Sequence, residues 1–163
     1  MKTVTRQTAI PEKSIIANGF DSIDYFDTYR IVCSTSGSVE EITAQIFKRN
    51  LPKWAKWLMY IRASIVWIFG LKSGRKMMRE EQSAIFPVIE QNENEIVSGI
   101  NDKHLDFRVS VLIDRKNAFI YLTTIVHFNN FWGRMYFLPI KPFHNMIIKS
   151  MLRKDAKTLQ IST

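Results

Sequence analysis

The sequence predicts an α+β fold, with an antiparallel sheet and helices kept apart from it, on three observations. Four strand-like segments after residue 86 are joined in pairs by short polar turns, which favours hairpins over parallel crossovers. Helical periodicity is confined to two blocks, one between residues 39 and 70 and one after residue 130. A single aromatic and β-branched segment precedes the first of these blocks.

Residues 1–20 read as an irregular lead-in, with Pro11 and the turn signal Asn18-Gly19. In SIDYFDTYRIVC, residues 22–33, one side alternates Ile23, Tyr25, Tyr29, Ile31 and Cys33, with Asp27 interrupting it. That alternation predicts a strand. Ser38 and Glu41 have capping-box spacing and open a helix through VEEITAQIFKR, because each side chain can satisfy the other's backbone N–H. Pro52 suits the first turn of a second helix, in which Trp54, Trp57, Leu58, Ile61, Ile65, Ile68 and Phe69 share a face before Gly70. Arg62 interrupts this apolar run short of the ~20 residues needed to cross a bilayer, so a buried helix is expected, with an interfacial helix as the alternative.

The segments 86–91 and 95–102 predict one hairpin, and 104–114 with 118–128 predict another. Tyr136, Ile140, Phe143, Ile147 and Met151 then recur at three or four, predicting a long terminal helix over residues 132–154. Pro139 and Pro142 interrupt its hydrogen-bond ladder and should bend it, and residues 155–163 read as a loose tail. Residues 1–163 are expected to form one domain. Strand, two helices, antiparallel strands and a long last helix is the order of a helix-grip fold. In that fold a curved sheet wraps the last helix and leaves a cavity suited to an apolar ligand.

The formal net charge of +8 is unevenly spread. Lys48, Arg49, Lys53, Lys56, Arg62, Lys72, Arg75, Lys76 and Arg79 occur with no acid among them, and residues 134–157 carry Asp155 alone against six bases. The 48–79 run suggests peripheral binding to an anionic membrane surface, set against a merely solvated basic face. Aromatics at helical core spacing, without a recognised nucleic-acid motif, argue against nucleic acid as a partner. The single cysteine, Cys33, excludes an intramolecular disulfide, and the polar N-terminus shows no secretory pattern, so a cytoplasmic location is expected.

The stretches DYFDTYRI at 24–31, LPKWAKWLMYIRASIVWIFGLK at 51–72, NDKHLDFRVSV at 101–111 and FNNFWGRMYFLPIKPFHNMIIKSML at 128–152 resemble a bacterial family catalogued as domain of unknown function 2867. The resemblance runs from about Pro11 to Leu152, with HLDFR and GRMY…IKPFH its most specific parts. That family is similar to the START-like helix-grip superfamily. Its members occur alone or fused behind a short-chain reductase module, which implies a possible reductase partner. No GxGxxG is present, and no cofactor is expected.

Strand periodicity places Asp102, His104, Asp106 and Arg108 on one side, against Leu105, Phe107 and Val109. His104 with Asp106 could serve as a catalytic acid–base pair of the cyclase or isomerase type, and Arg108 could grip a ligand anion. The competing reading is a strand whose polar side is simply paired or hydrated. His144 could face the cavity or satisfy a carbonyl freed by the prolines. With Asp102, Arg108, Tyr136, Trp57 and Phe143 it completes the candidate ligand-binding set, the ligand being small and apolar or lipid-like. No compact HxH or HExxH spacing is present, and no metal is expected.

Overall fold

A computed structural model describes residues 4–49 and 86–158. Six strands form one antiparallel sheet: β1 (Thr5–Gln7), β2 (Tyr25–Val32), β3 (Val88–Gln91), β4 (Glu95–Asn101), β5 (Leu105–Asp114) and β6 (Phe119–Phe128). Its order is β1-β2-β6-β5-β4-β3. The helices are α1 (Val39–Arg49) and α2 (Phe131–Thr158). The predicted α+β class is therefore observed, with five of the strands within a few residues of their expected bounds. The second predicted helix, with Trp57, and most of the 48–79 basic run lie outside the described residues.

Two boundaries differ from expectation. The lead-in contributes β1, whose Thr5, Arg6 and Gln7 pair with Arg30, Tyr29 and Thr28. A three-residue edge strand has too few positions to show a period, so it exists only through its partner. At the other end α2 continues through Asp155 to Thr158, where a loose tail was expected. Pro139 and Pro142 lie inside α2, so the carbonyls of Met135 and Leu138 lose their i+4 donors. Both of those residues are exposed, which leaves water to serve the freed carbonyls.

Capping at α1 follows the sequence closely. Ser38 Oγ accepts from Glu41 N at 3.2 Å while Glu41 Oε2 accepts from Ser38 N at 3.1 Å. The resulting helix packs against β4 and β5, α2 packs against β2 and β6, and the two helices touch.

Strand alternation sends Tyr29 and Ile31 of β2, Val109, Val111 and Ile113 of β5, and Ile120 and Leu122 of β6 to the helix side. There they bury against Ile42 and Ile46 of α1 and Ile148, Met151 and Leu152 of α2, together with Cys33. The opposite side carries a smaller core of Val97 and Ile125, closed by Ile10, Ile15, Ile16 and Phe20 of the lead-in. Each face of the sheet is thus covered by a different part of the chain.

Candidate functional site

The predicted polar ladder does not stay together. Only Asp106 and Arg108 lie within β5; Asp102 and His104 form the β4–β5 turn. Asp106 Oδ1 accepts from Asp102 N at 2.9 Å, which closes that turn. His104 Nδ1 lies 3.0 Å from Asn130 Nδ2, and no contact joins His104 to Asp106 among the described residues.

The turn is instead lashed to the start of α2. Asn129 N donates to the His104 carbonyl at 3.0 Å, and Asn129 Nδ2 donates to the Asp102 carbonyl at 2.7 Å. Asn130 Nδ2 donates to the Lys103 carbonyl at 2.9 Å, while its Oδ1 accepts from Gly133 N at 3.1 Å and so caps α2. Gly133 packs so closely that a Cβ there would lie 1.9 Å from the His104 oxygen. The two most specific sequence stretches, around HLDFR and GRMY, are therefore halves of one structural clasp.

Arg108 lies on the sheet face away from α2. Its guanidinium donates to the carbonyls of Ile16, at 3.2 Å, and Asn18, and stacks 4.8 Å from the Phe20 ring centroid. Glu95, fully buried on the same face, accepts from Ser14 Oγ and from Ile15 N at 2.7 Å. Two buried charges of opposite sign thus hold residues 14–18 down, Glu95 through Ser14 Oγ and Ile15 N and Arg108 through Nη1 to two carbonyls, while Arg108 Nε is buried without a hydrogen-bond partner among the described residues.

A different polar cluster forms on the helix side, between the sheet and α2. Asp27 sits on the apolar side of β2, with its side chain completely buried. Tyr25 Oη donates to Asp27 Oδ2 at 2.8 Å and lies 3.3 Å from Asn145 Oδ1. His144 Nε2 lies 3.4 Å from Asp27 Oδ2 and 3.1 Å from Thr124 Oγ1, whose residue is the register partner of Asp27 on β6. Asp27 Oδ1 and Tyr29 Oη are buried without a hydrogen-bond partner among the described residues.

The electrostatics of this cluster follow from its burial. Removal from water raises the Tyr25 phenol well above the ordinary tyrosine range, and the neighbouring Asp27 carboxylate reinforces the shift. Tyr29 moves the same way for the same two reasons. Both hydroxyls are thereby held as neutral donors. Lys141 Nζ lies 4.9 Å from the Tyr25 ring centroid and Lys149 Nζ 5.8 Å from that of Tyr29, so positive charge borders the cluster from α2.

Of the residues singled out from the sequence, His144 is the one in this cluster. Tyr136 and Phe143 are elsewhere on α2, the first half-buried and the second exposed. Asp27 and Tyr25 were not singled out as site residues. Their signal was an acid on the apolar side of a strand, two positions from a tyrosine.

His127 makes a second His–Asp contact, its Nδ1 lying 2.8 Å from Asp24 Oδ2 and 2.8 Å from Ser22 Oγ. Serine and aspartate meet the same ring nitrogen, whereas a serine–histidine–aspartate relay needs one on each. No group of three or more metal-ligating side chains occurs among the described residues, nor does a helix long and apolar enough to cross a membrane.

Residues 20–151 match the family model described as Protein of unknown function (DUF2867), and the chain belongs to that family. No curated protein and no solved structure matches the chain.

Proposed function

We propose that this DUF2867 member is a helix-grip, START-like binding domain for a small, largely apolar molecule with one hydrogen-bonding end. That end would be held by the Tyr25–Asp27–His144 cluster. The observation carrying this reading is the buried Asp27 carboxylate, which meets Tyr25 and His144 through one oxygen and leaves Oδ1 without a described partner. Each unmet buried acceptor costs about 1–3 kcal/mol, which a donor brought to Oδ1 would recover. A ligand hydroxyl, amide or protonated amine would supply the missing donor. The surrounding Tyr29, Leu122 and Ile148 supply the apolar environment that small-molecule sites favour.

A second reading is favoured by the His144–Asp27 separation of 3.4 Å. A histidine oriented by a carboxylate is suited to moving a proton, so isomerase- or cyclase-type chemistry would reside here rather than on His104 and Asp106. Fluorescence titration with 1-aminoanthracene, an apolar probe with one donor group, tests the binding reading. The expected result is saturable binding to the wild type, weakened about tenfold or more in His144→Ala and Tyr25→Phe, which corresponds to one lost hydrogen bond or more. No saturable binding, together with no small molecule retained in native mass spectrometry, would overturn it.

A further inference from the structure

The outward side of α2 is apolar where a surface helix is normally polar. Phe131, Met135, Leu138, Pro142 and Met146 follow one another at steps of three or four, all of them exposed. The same row continues without a break into Lys149 and Arg153, also exposed. At 1.5 Å per residue its apolar part, from Phe131 to Met146, is about 22 Å long. The buried side of the helix, with Phe137, Ile148, Met151 and Leu152, faces the other way. An extended apolar row of this size marks a contact surface rather than scattered surface hydrophobes.

Charge decides what it contacts. From Phe131 to Lys154 the helix has no acid, while Arg134, Lys141, Lys149 and Arg153 supply positive charge. At the C-terminal end of the row lies an open depression of about 330 Å³ that, among the described residues, is lined by Met146, Lys149, Ser150 and Arg153. Two cations and a hydroxyl beside the Met146 side chain match a phosphate carried on an acyl chain. An apolar row with only cations along it is the pattern of a helix lying in a membrane interface, the apolar side chains inserted and the cations at the headgroups.

We propose that the outer face of α2 docks this protein on anionic phospholipid surfaces. Phe131, Met135, Leu138 and Met146 enter the headgroup–acyl boundary, and Lys149 and Arg153 hold a lipid phosphate. This surface is separate from the Asp27 cluster, which lies on the helix's inner side.

Flotation with vesicles of phosphatidylglycerol mixed with phosphatidylcholine, against vesicles of phosphatidylcholine alone, tests the proposal. The full chain should float with the anionic vesicles, and less so as salt is raised. Lys149→Gln with Arg153→Gln should lower partitioning roughly 25-fold, from about fivefold per surface cation. Leu138→Ser with Met146→Ser should abolish it without altering the far-ultraviolet circular dichroism, since both side chains are exposed. Asp27→Asn should leave flotation unchanged, which separates this proposal from the ligand-binding one. Absence of flotation, equal flotation with both vesicles, or full flotation of either doubly substituted form would overturn it. So would concentration-dependent dimerisation that the Leu138→Ser, Met146→Ser form loses while neither protein floats, because a second copy would then own the face.

Discussion

The two faces of the sheet bury charge for different purposes. On the lead-in side, Glu95 and Arg108 are engaged mainly by backbone groups of residues 14–18, with Ser14 Oγ and the Phe20 ring beside them, and Arg108 Nε is left without a hydrogen-bond partner among the described residues. On the helix side, Asp27 is as deeply buried, yet it is met by side chains alone and through one oxygen. Backbone partners cannot leave without unfolding the segment they belong to, so the first arrangement is a fastening. Side-chain partners can rotate, exchange protons or admit a third group, so the second can serve a ligand. The same contrast separates the two histidines singled out from the sequence: His104 sits within a lattice of Asn129, Asn130 and Gly133, while His144 reaches a buried carboxylate.

The largest expected effect of breaking this contrast lies at the clasp. Gly133→Ala places a methyl group 1.9 Å from the His104 oxygen, so α2 and the β4–β5 turn must separate. The expected cost is about 3 kcal/mol, at the upper end for overpacking, read as a lower urea midpoint. Arg108→Met comes next. It keeps the apolar stem but leaves two carbonyls of the lead-in without their donor, at a cost of about 2 kcal/mol. Limited proteolysis should then cut first between residues 10 and 20, while the helix-side core stays protected.

A smaller effect appears at alkaline pH. The folded-state value of the Tyr25 phenol is raised, so the protonated form is bound more tightly in the folded chain than in the unfolded one. This contribution is fully present below the unfolded tyrosine value of about 10 and is lost as pH rises above it. Absorbance titration of tyrosinate should show Tyr25 and Tyr29 ionising last, in step with unfolding. Tyr25→Phe should make stability less steeply dependent on pH above that value. Tyr25 titrating early, with the fold intact, would show that it is neither desolvated nor beside a carboxylate.

Much of the fold was legible because its strands are rich in β-branched and aromatic residues and are separated by short polar turns. The reciprocal Ser38–Glu41 cap was legible for the same reason: it is local. The strand β1 was not, since three residues acquire their conformation from β2 alone. The alternation of β5 was read correctly from Leu105 onward, but extending it back to Asp102 and His104 assumed that the strand began earlier than it does. His144 was visible as a histidine among prolines. Its partner Asp27 lies more than a hundred residues earlier, and only the fold brings the two together. What the sequence offered was an acid on the wrong side of a strand, a local inconsistency of the kind functional sites produce.

The smallest expected change in stability is also the most informative. Asp27→Asn is nearly isosteric and removes a buried charge with an unsatisfied oxygen. Urea unfolding of this variant, followed by 1-aminoanthracene titration of the same preparation, sets the two faces against each other. A helix-side ligand site predicts stability within about 1 kcal/mol of the wild type, or higher, with probe binding lost. A loss of about 3 kcal/mol or more with probe binding unchanged would make Asp27 a fastening like Arg108 and contradict the account.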